Sequence, residues 1–452
     1  MFKEATRMAE VYGNAICNIS ALSGKDDGLF CDRIPATMNC DSVILDQTAF
    51  QLNTSYLIND FQLWRGELIH MPLTTRGWVL QEEVLALRTI YFGTRQVLWN
   101  CVSARACETY PAMHKKPSAE AEVPHHDKEI FLRDDELQPI TSWLSLVKTQ
   151  SESMRIGGLD RNEVDQEKLY RIWTDFVSHY SLRQLTFPID KLLAIAGVSK
   201  LFGTVMRDDF VAGLWRQHLI EGLLWSIRAN TRTADPSEYR APTWSWASKE
   251  GYVMYAEPFK VSWIVARHLD VRCNVAANDP YGPAEEFGIV SSGSMTLQAP
   301  LILLKLDENR SWTVPTGKSQ LPRLMIRLDS TKNMPAEGKY VGAIIRTTAY
   351  HLTDAPSDNR RKALLAAQGI ILKSTGELAK NHDQDLSSEP TYSWNRIGYF
   401  ALEDKKSGKL KPKWLPAAEG ARIFPSPVKN VGDVDVFDFE SSASAMSVVE
   451  IY

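Results

Sequence analysis

The sequence lacks the features that mark secreted, membrane-spanning or nucleic-acid-binding proteins. Six cysteines in 452 residues, none in a C-x-x-C pair, exclude a disulfide scaffold and favour a reduced compartment. No apolar run approaches the roughly 18 residues of a spanning helix, and the amino terminus lacks the apolar core of a signal peptide. A net charge of −4 gives no basic excess for binding polyanions. We therefore expect a cytoplasmic protein with no membrane span and no nucleic-acid partner.

The common sequence signatures of enzymes are also absent. We find no P-loop, no G-x-G-x-x-G, no H-E-x-x-H, no G-x-S-x-G and no kinase signature set. His125 and His126 are adjacent in a charged run that lacks the two further ligands a metal site requires. Cys101 and Cys107 are more typical of buried apolar side chains than of ligands or nucleophiles. These residues predict no metal site and no cofactor.

The length and composition are those of a globular protein with several domains. The chain is 44% hydrophobic and 23% charged, and its length suits about three domains. We predict a first domain at 1–111, a mobile linker rich in Lys, Glu, Pro and His at 112–135, a helical middle domain at 136–248 and a mainly β domain at 249–452. The predicted fold class is α+β.

Apolar periodicity predicts the elements of these domains. Apolar residues with helical spacing indicate helices at 8–19 and 169–180, and further helices are expected at 190–198 and 211–227. Alternating apolar residues indicate strands around positions 261–265, 295–297, 340–345 and 370–372.

A compact block at residues 77–99 has the pattern of a short helix followed by a β-hairpin. In a helix over 77–85, Trp78, Gln81 and Glu82 share one face, which then presents an indole, an amide and a carboxylate. One interpretation is structural: Trp78 fills the core and Glu82 pairs with Arg76 or Arg88. The other is functional: Glu82 stabilises a developing positive charge or accepts a hydrogen bond from a ribose hydroxyl, while Trp78 stacks on a nucleotide base.

This block resembles the fungal heterokaryon incompatibility (HET) domain family. Members typically carry an Arg-Gly-Trp-x-x-Gln-Glu core, followed a few residues later by an arginine and an apolar strand. The residues that match are Arg76, Gly77, Trp78, Gln81, Glu82, Arg88 and the strand at 89–92. Other stretches that resemble such proteins are Arg7–Ala15, Asp27–Phe30, Asp190–Gly197, Ala212–Arg216, Ala241–Ser248 and Arg396–Phe400.

One part of the family pattern is missing. Family members usually begin with a Leu-Ser-x-x-Trp-Gly-type motif and a Leu-Trp-Ile-Asp-like strand, and neither precedes the helix at Arg7–Ala15. We therefore expect residues 1–111 to be the C-terminal part of a HET domain, with a partial α/β character.

The resemblance implies a module of non-self recognition and programmed cell death that acts through contacts with other proteins of an incompatibility pathway. The residues it marks for ligand or partner contact are Arg76, Gly77, Trp78, Gln81, Arg88, Trp244 and Trp246. If Trp244 and Trp246 lie on an extended segment, both indoles point to one side, either into the core or toward a partner.

Two alternatives remain open. HET domains have been likened to Toll/interleukin-1 receptor (TIR) domains, some of which cleave NAD with a glutamate. That fold analogy would make Glu82 catalytic, and NAD is expected to bind only under this alternative. The other alternative is an inactive, truncated paralogue. We expect the signalling role rather than catalysis.

Overall fold

A computed structural model of the protein describes residues 2–22, 68, 71–94, 96–101, 104–108, 114–115, 165–231, 235–256, 263–275, 289–314, 323–330, 335–336, 338–352, 363–378, 392–403, 412–414 and 446–452. The chain divides into two compact units, unit 1 at residues 1–207 and unit 2 at residues 208–452. The described residues form both helices and several sheets, which confirms the α+β fold class. The four predicted domain ranges remain predictions. His125, His126, Asp27–Phe30 and most of the predicted linker lie outside the described residues.

The described part of unit 1 combines helices with short strands. Their bounds are α1 (Phe2–Asn14), β1 (Asn18–Ala21), α2 (Gly77–Leu85), β2 (Arg88–Phe92), β3 (Val97–Cys101), β4 (Ala104–Cys107), β5 (His114–Lys115), α3 (Gln166–Ser181) and α4 (Ala196–Met206). Two short 3-10 helices, Pro188–Lys191 and Leu193–Ile195, precede α4.

The strands of unit 1 form a sheet in the order β1-β2-β3-β4-β5. β1 is parallel to β2, and the other neighbours are antiparallel. The predicted hairpin is confirmed, since β2 pairs with β3. A small core under this sheet contains Leu22, Tyr91, Leu98 and Cys107.

The prediction of one helix over residues 8–19 is wrong beyond Asn14, where α1 ends. The chain there becomes extended and β1 pairs with β2. Ile16 and Ile19, predicted on the apolar stripe, are 86% and 60% exposed. Strand pairing between distant segments has overridden the local helical period, which is a weak constraint by itself.

The predicted helix at 169–180 is confirmed as part of α3. Its apolar stripe is buried: Leu169, Ile172, Trp173, Phe176, Val177 and Tyr180. The Asp165 side chain caps the helix by accepting the Lys168 backbone N–H at 3.0 Å. The predicted helix at 190–198 is only partly correct, because the two 3-10 helices occupy its first half and α4 begins at Ala196.

Unit 2 is built mainly from strands. Its described elements are β6 (Phe210–Val211), β7 (Leu214–Trp215), α5 (Leu219–Gly222), β8 (Trp225–Ile227), β9 (Val253–Tyr255), β10 (Trp263–Ile264), β11 (Arg267–Val275), β12 (Val290–Leu306), β13 (Trp312–Thr313), β14 (Arg323–Leu328), β15 (Gly338–Leu352), β16 (Ala363–Leu378), β17 (Tyr392–Glu403), β18 (Pro412–Trp414) and β19 (Met446–Ile451). The strands predicted near positions 263, 295, 340 and 370 are therefore confirmed.

Five strands of unit 2 form a closed sheet. The order β15-β16-β17-β19-β12 returns to β15, because β12 pairs with both β19 and β15. All of these pairings are antiparallel except β17 with β19. The core of this closed sheet includes Ile302, Ile344, Ile371 and Phe400.

The predicted helix at 211–227 is wrong. The segment instead forms the β6–β7 hairpin, the short helix α5 and strand β8. Ala212 and Gly213, at the turn of the hairpin, have φ angles of 48° and 96°, a left-handed backbone that a right-handed helix excludes. Trp215 and Trp225 are both fully buried. Within the described residues, no helix is long and apolar enough to cross a membrane.

Candidate functional site

The first residues of α2 are fixed by backbone pairing with a distant loop. The Gly77 N–H donates to the Gln184 carbonyl and the Gln184 N–H donates to the Thr75 carbonyl, each at 2.7 Å. A Cβ at position 77 would lie 2.6 Å from a methyl carbon of Leu185. Close packing against Leu185 therefore favours glycine at position 77, and Arg76 is exposed just before the helix.

Trp78 is half-buried and is anchored by its indole nitrogen. Its N–H donates to the carboxylate of Asp190, which lies in the first 3-10 helix and is only 6% exposed. Burial raises the pKa of Asp190, and the bond from Trp78 opposes that rise. The ring is half-buried, so the structure meets the core-filling interpretation of Trp78 only in part.

Glu82 is bonded to a tyrosine of the first helix. Burial raises the pKa of Glu82, and the neighbouring charge of Glu83 adds to the rise. The Tyr12 hydroxyl, which donates to the carboxylate, and the charge of Arg76 act in the opposite direction. Burial and the Glu82 charge also raise the pKa of Tyr12, so its hydroxyl remains a donor at neutral pH. The predicted partner Arg88 is exposed at the start of β2, and Tyr12 holds the carboxylate instead.

Gln81 lies at the junction of three helices. Its side chain is fully buried, and neither amide atom has a hydrogen-bond partner among the described residues. A Cβ on Gly197 of α4 would lie 3.1 Å from both the Gln81 Oε1 and the Ala9 nitrogen of α1. A ligand or partner would reach Gln81 only if these helices separated.

Three of the described stretches of unit 1 that resemble HET proteins thus meet in space. Arg7–Ala15 contributes Tyr12, the α2 stretch contributes Trp78 and Glu82, and Asp190–Gly197 contributes Asp190. We call these four residues the motif cluster. It places an indole, a phenol and two carboxylates together beside the exposed Arg76 cation, a set suited to binding or acid–base chemistry. Sequence reasoning missed Tyr12 and Asp190, although both stand in stretches that it had singled out.

The two tryptophans predicted for partner contact lie in the core of unit 2. Trp244 is in a turn and Trp246 begins a 3-10 helix that the Ser245 side chain caps, so the predicted extended segment is wrong. Both indoles are fully buried. The Trp246 indole N–H donates to the Gly213 carbonyl at 2.8 Å, and the Ser245 hydroxyl donates to the Ala212 carbonyl at 2.5 Å. These bonds agree with the core-packing interpretation, and a partner contact would require unit 2 to open.

The fully buried Arg396 connects several segments of unit 2 by hydrogen bonds. The Arg396 guanidinium donates to Asp329 at 2.9 Å and to the carbonyls of Leu223 and Trp225 at 2.5 Å. It also stacks on the Trp225 ring at 3.5 Å from the centroid. The Trp225 indole in turn donates to the Trp244 carbonyl at 2.9 Å. The three stretches of unit 2 that resemble HET proteins therefore form one buried framework.

We expect Glu82→Gln to remove a pH dependence from the stability of unit 1. The raised pKa means that the folded state holds the Glu82 proton more tightly than the unfolded chain does. The stability from that proton is present below the ordinary value of 4.5 and is lost as the pH rises through the folded pKa. Glutamine stays neutral and still accepts the Tyr12 hydroxyl. Amide hydrogen exchange of α2 should show a more stable variant at neutral pH and equal stability in acid; a less stable variant at neutral pH would contradict the burial of Glu82.

We expect Gln81→Met to stabilise unit 1. Methionine fills a similar volume without the two unpaired polar atoms, whose burial costs about 1–3 kcal/mol. Exchange of the α2 and α4 amides should slow correspondingly. Gln184→Met is the control, since that side chain is exposed and only its backbone is used, and it should change stability by less than about 0.5 kcal/mol. Destabilisation by Gln81→Met would show that the amide has a partner.

Comparison with known proteins gives one positive result. Residues 2–82 match the family model described as heterokaryon incompatibility protein (HET). The matched range contains Tyr12 and Trp78 and ends at Glu82. No curated protein and no solved structure matches the chain. The resemblance drawn from the motifs is thereby confirmed for this part of the sequence.

Proposed function

From the HET-family segment at residues 2–82, we propose that the protein is a signalling module of fungal non-self recognition and programmed cell death, acting in the cytoplasm through contacts with other proteins. The observation that carries this proposal is the coincidence of the family match with the motif cluster, since three of its four residues lie within the matched range.

The cluster supports a role in presenting a surface. Asp190 holds the indole of Trp78, and Tyr12 holds the carboxylate of Glu82. These bonds attach α2 to two separate parts of unit 1, so the helix and the exposed Arg76 before it have a fixed orientation. A fixed surface binds a partner at a lower entropic cost than a mobile one.

Growth of a filamentous fungus that expresses the full chain from an inducible promoter tests this proposal. The chain should arrest growth on induction, and Arg76→Glu should relieve the arrest because it reverses the charge of the presented surface. Lys200→Glu is the matched control, an exposed charge reversal on α4, and it should leave the arrest intact. Normal growth despite good expression of the folded chain would overturn the proposal.

The environment of Glu82 favours one alternative, a TIR-like NAD-consuming enzyme. A half-buried carboxylate with a raised pKa, next to an indole and an exposed arginine, could act on a ribose with Trp78 stacked on a base. NAD turnover by the purified chain should then fall in Glu82→Gln. Equal turnover would remove Glu82 from the reaction. A folded chain with neither NAD turnover nor growth arrest would instead indicate an inactive paralogue.

A further inference from the structure

We propose that the loop Leu182–Pro188, together with Arg76, is a docking surface for a partner protein segment that presents an apolar side chain next to a carboxylate. We call this loop the ledge. The inference rests on the proposed function, because it names the surface through which unit 1 would make its protein contact.

The ledge exposes two large apolar side chains within a short stretch. Leu182 is 52% exposed and Phe187 is 61% exposed, whereas the apolar stripe of the preceding helix α3 is buried. Pro188 beside them is also exposed. Single exposed apolar residues are ordinary, but two large ones and a proline exposed on one short loop are a concentration of apolar residues typical of interaction sites.

The backbone of the ledge is held in place along its length. The Leu182 N–H donates to the His179 carbonyl at 3.3 Å. The N–H and the carbonyl of Gln184 both form backbone hydrogen bonds with residues 75–77, where α2 begins. At the far end, the Asp190 N–H donates to the Phe187 carbonyl at 3.1 Å. The two apolar side chains are therefore presented from a fixed backbone, as in interface anchors that bind with little loss of entropy.

Side chains of the ledge that point inward also fix it. The Leu185 side chain packs against the α carbon of Gly77. Arg183 forms an ion pair with Glu83 of α2 at 2.9 Å, and both side chains are only 9% exposed. The ledge thus contacts the helix that carries Trp78 and Glu82, and a segment bound to the ledge would lie next to the motif cluster.

The charges around the ledge specify the chemistry of the partner. The segments 71–76 and 182–189 contain two arginines and no acidic residue. Glu83 neutralises Arg183, whereas Arg76 is exposed with its backbone opposite Gln184. The nearby carboxylates of Glu83 and Asp190 are already bonded to Arg183 and Trp78. The Glu82 carboxylate, which the charge of Arg76 also reaches, accepts the Tyr12 hydroxyl group's hydrogen bond. A partner that pairs with Arg76 must therefore supply a carboxylate.

The same charges argue against a nucleic acid, a membrane or a second copy of the chain as the binding partner. Within the described segments 71–76 and 182–189, one exposed arginine is too few for a nucleic acid or an anionic membrane, which need several cations. In a symmetric contact between two copies, each ledge would face another segment that has no acid and would bring like charges together. A partner with an apolar side chain beside a carboxylate satisfies both the apolar residues and Arg76.

An array of short synthetic peptides, probed with the purified full chain, tests the proposal. Each peptide carries a central Phe or Leu flanked by Asp, by Ser or by Lys. The Asp-flanked peptides should bind most strongly, and Phe187→Ser should weaken them about tenfold, as expected for an apolar anchor. Arg76→Glu should reverse the preference in favour of the Lys-flanked peptides. Leu269→Ser is the control, an equally exposed leucine on β11 of unit 2, and it should change nothing.

Equal binding of the Asp-flanked and Lys-flanked peptides, or binding that survives Phe187→Ser, would overturn the proposal. Concentration-dependent self-association that is lost in Phe187→Ser would also overturn it, by identifying a second copy as the occupant. The outcomes that would refute the proposed function are distinct from these. Growth arrest without selective peptide binding would refute only the ledge, whereas selective binding by a chain that does not arrest growth would refute only the signalling role.

Discussion

Arg396→Leu is expected to destabilise unit 2 by about 3–5 kcal/mol, because it leaves a buried carboxylate without its cation. Asp329 is fully buried and is bonded to Arg396 through two guanidinium nitrogens. The substitution also leaves the carbonyls of Leu223 and Trp225 without the donors that Arg396 supplies. Hydrogen exchange of the β17 amides, measured as an opening free energy, should show the loss directly.

Two controls separate burial from the ion pair itself. Arg396→Leu combined with Asp329→Leu should recover part of the loss, since no unpaired charge remains in the core. Arg272 forms a 2.7 Å pair with Asp270 on β11, but these side chains are 62% and 48% exposed. Arg272→Leu should therefore cost less than about 1 kcal/mol. If Arg396→Leu were as mild as Arg272→Leu, the buried framework of unit 2 would be wrong.

Gly369→Ala is expected to destabilise unit 2 by about 3 kcal/mol or more, at the upper end of the range for overpacked cores. A Cβ at this position in β16 would overlap the backbone oxygen of Ala343 and would lie 2.7 Å from the ring of Phe400. The carbonyl belongs to the paired strand β15 and cannot move aside without breaking the closed sheet. The ring is fully buried in the same core.

Thermal unfolding of unit 2, followed by near-UV circular dichroism, measures this effect. Gly13→Ala in helix α1 is the control, because no atom lies within 4 Å of a Cβ there, and it should stabilise the helix by up to about 1 kcal/mol. An unchanged melting temperature for Gly369→Ala would contradict the packing of β16 against β15 and Phe400.

The parts of the fold that depend on local pattern could be predicted from the sequence. The stripe of α3 and the hairpin after α2 are examples, because an amphipathic period and a turn suffice to specify them. The helix predicted at 211–227 failed because Ala212 and Gly213 take a left-handed backbone that apolar spacing does not reveal. The closure of β12 onto β15 likewise depends on pairing between distant strands, which no local window contains.

The candidate site was predicted only in part for the same reason. Trp78 and Glu82 lie one turn apart on one helix, so their spacing alone brings them together. Their partners Asp190 and Tyr12 come from distant parts of the chain and meet them only through helix packing. The burial of Trp244 agrees with the core-packing interpretation, but its place in a turn was not predicted, because alternating tryptophans indicate an extended segment.

The central claim is that distant stretches of unit 1 converge on one motif cluster, and a double-mutant cycle on Trp78 and Asp190 tests it most directly. Trp78→Phe removes the indole donor, Asp190→Ala removes its acceptor, and amide exchange of α2 gives the opening free energy of each variant. A hydrogen bond to a charged group predicts a coupling energy of about 1.5–3 kcal/mol. Effects that add within about 0.5 kcal/mol would show that the two side chains do not interact, and would contradict the account.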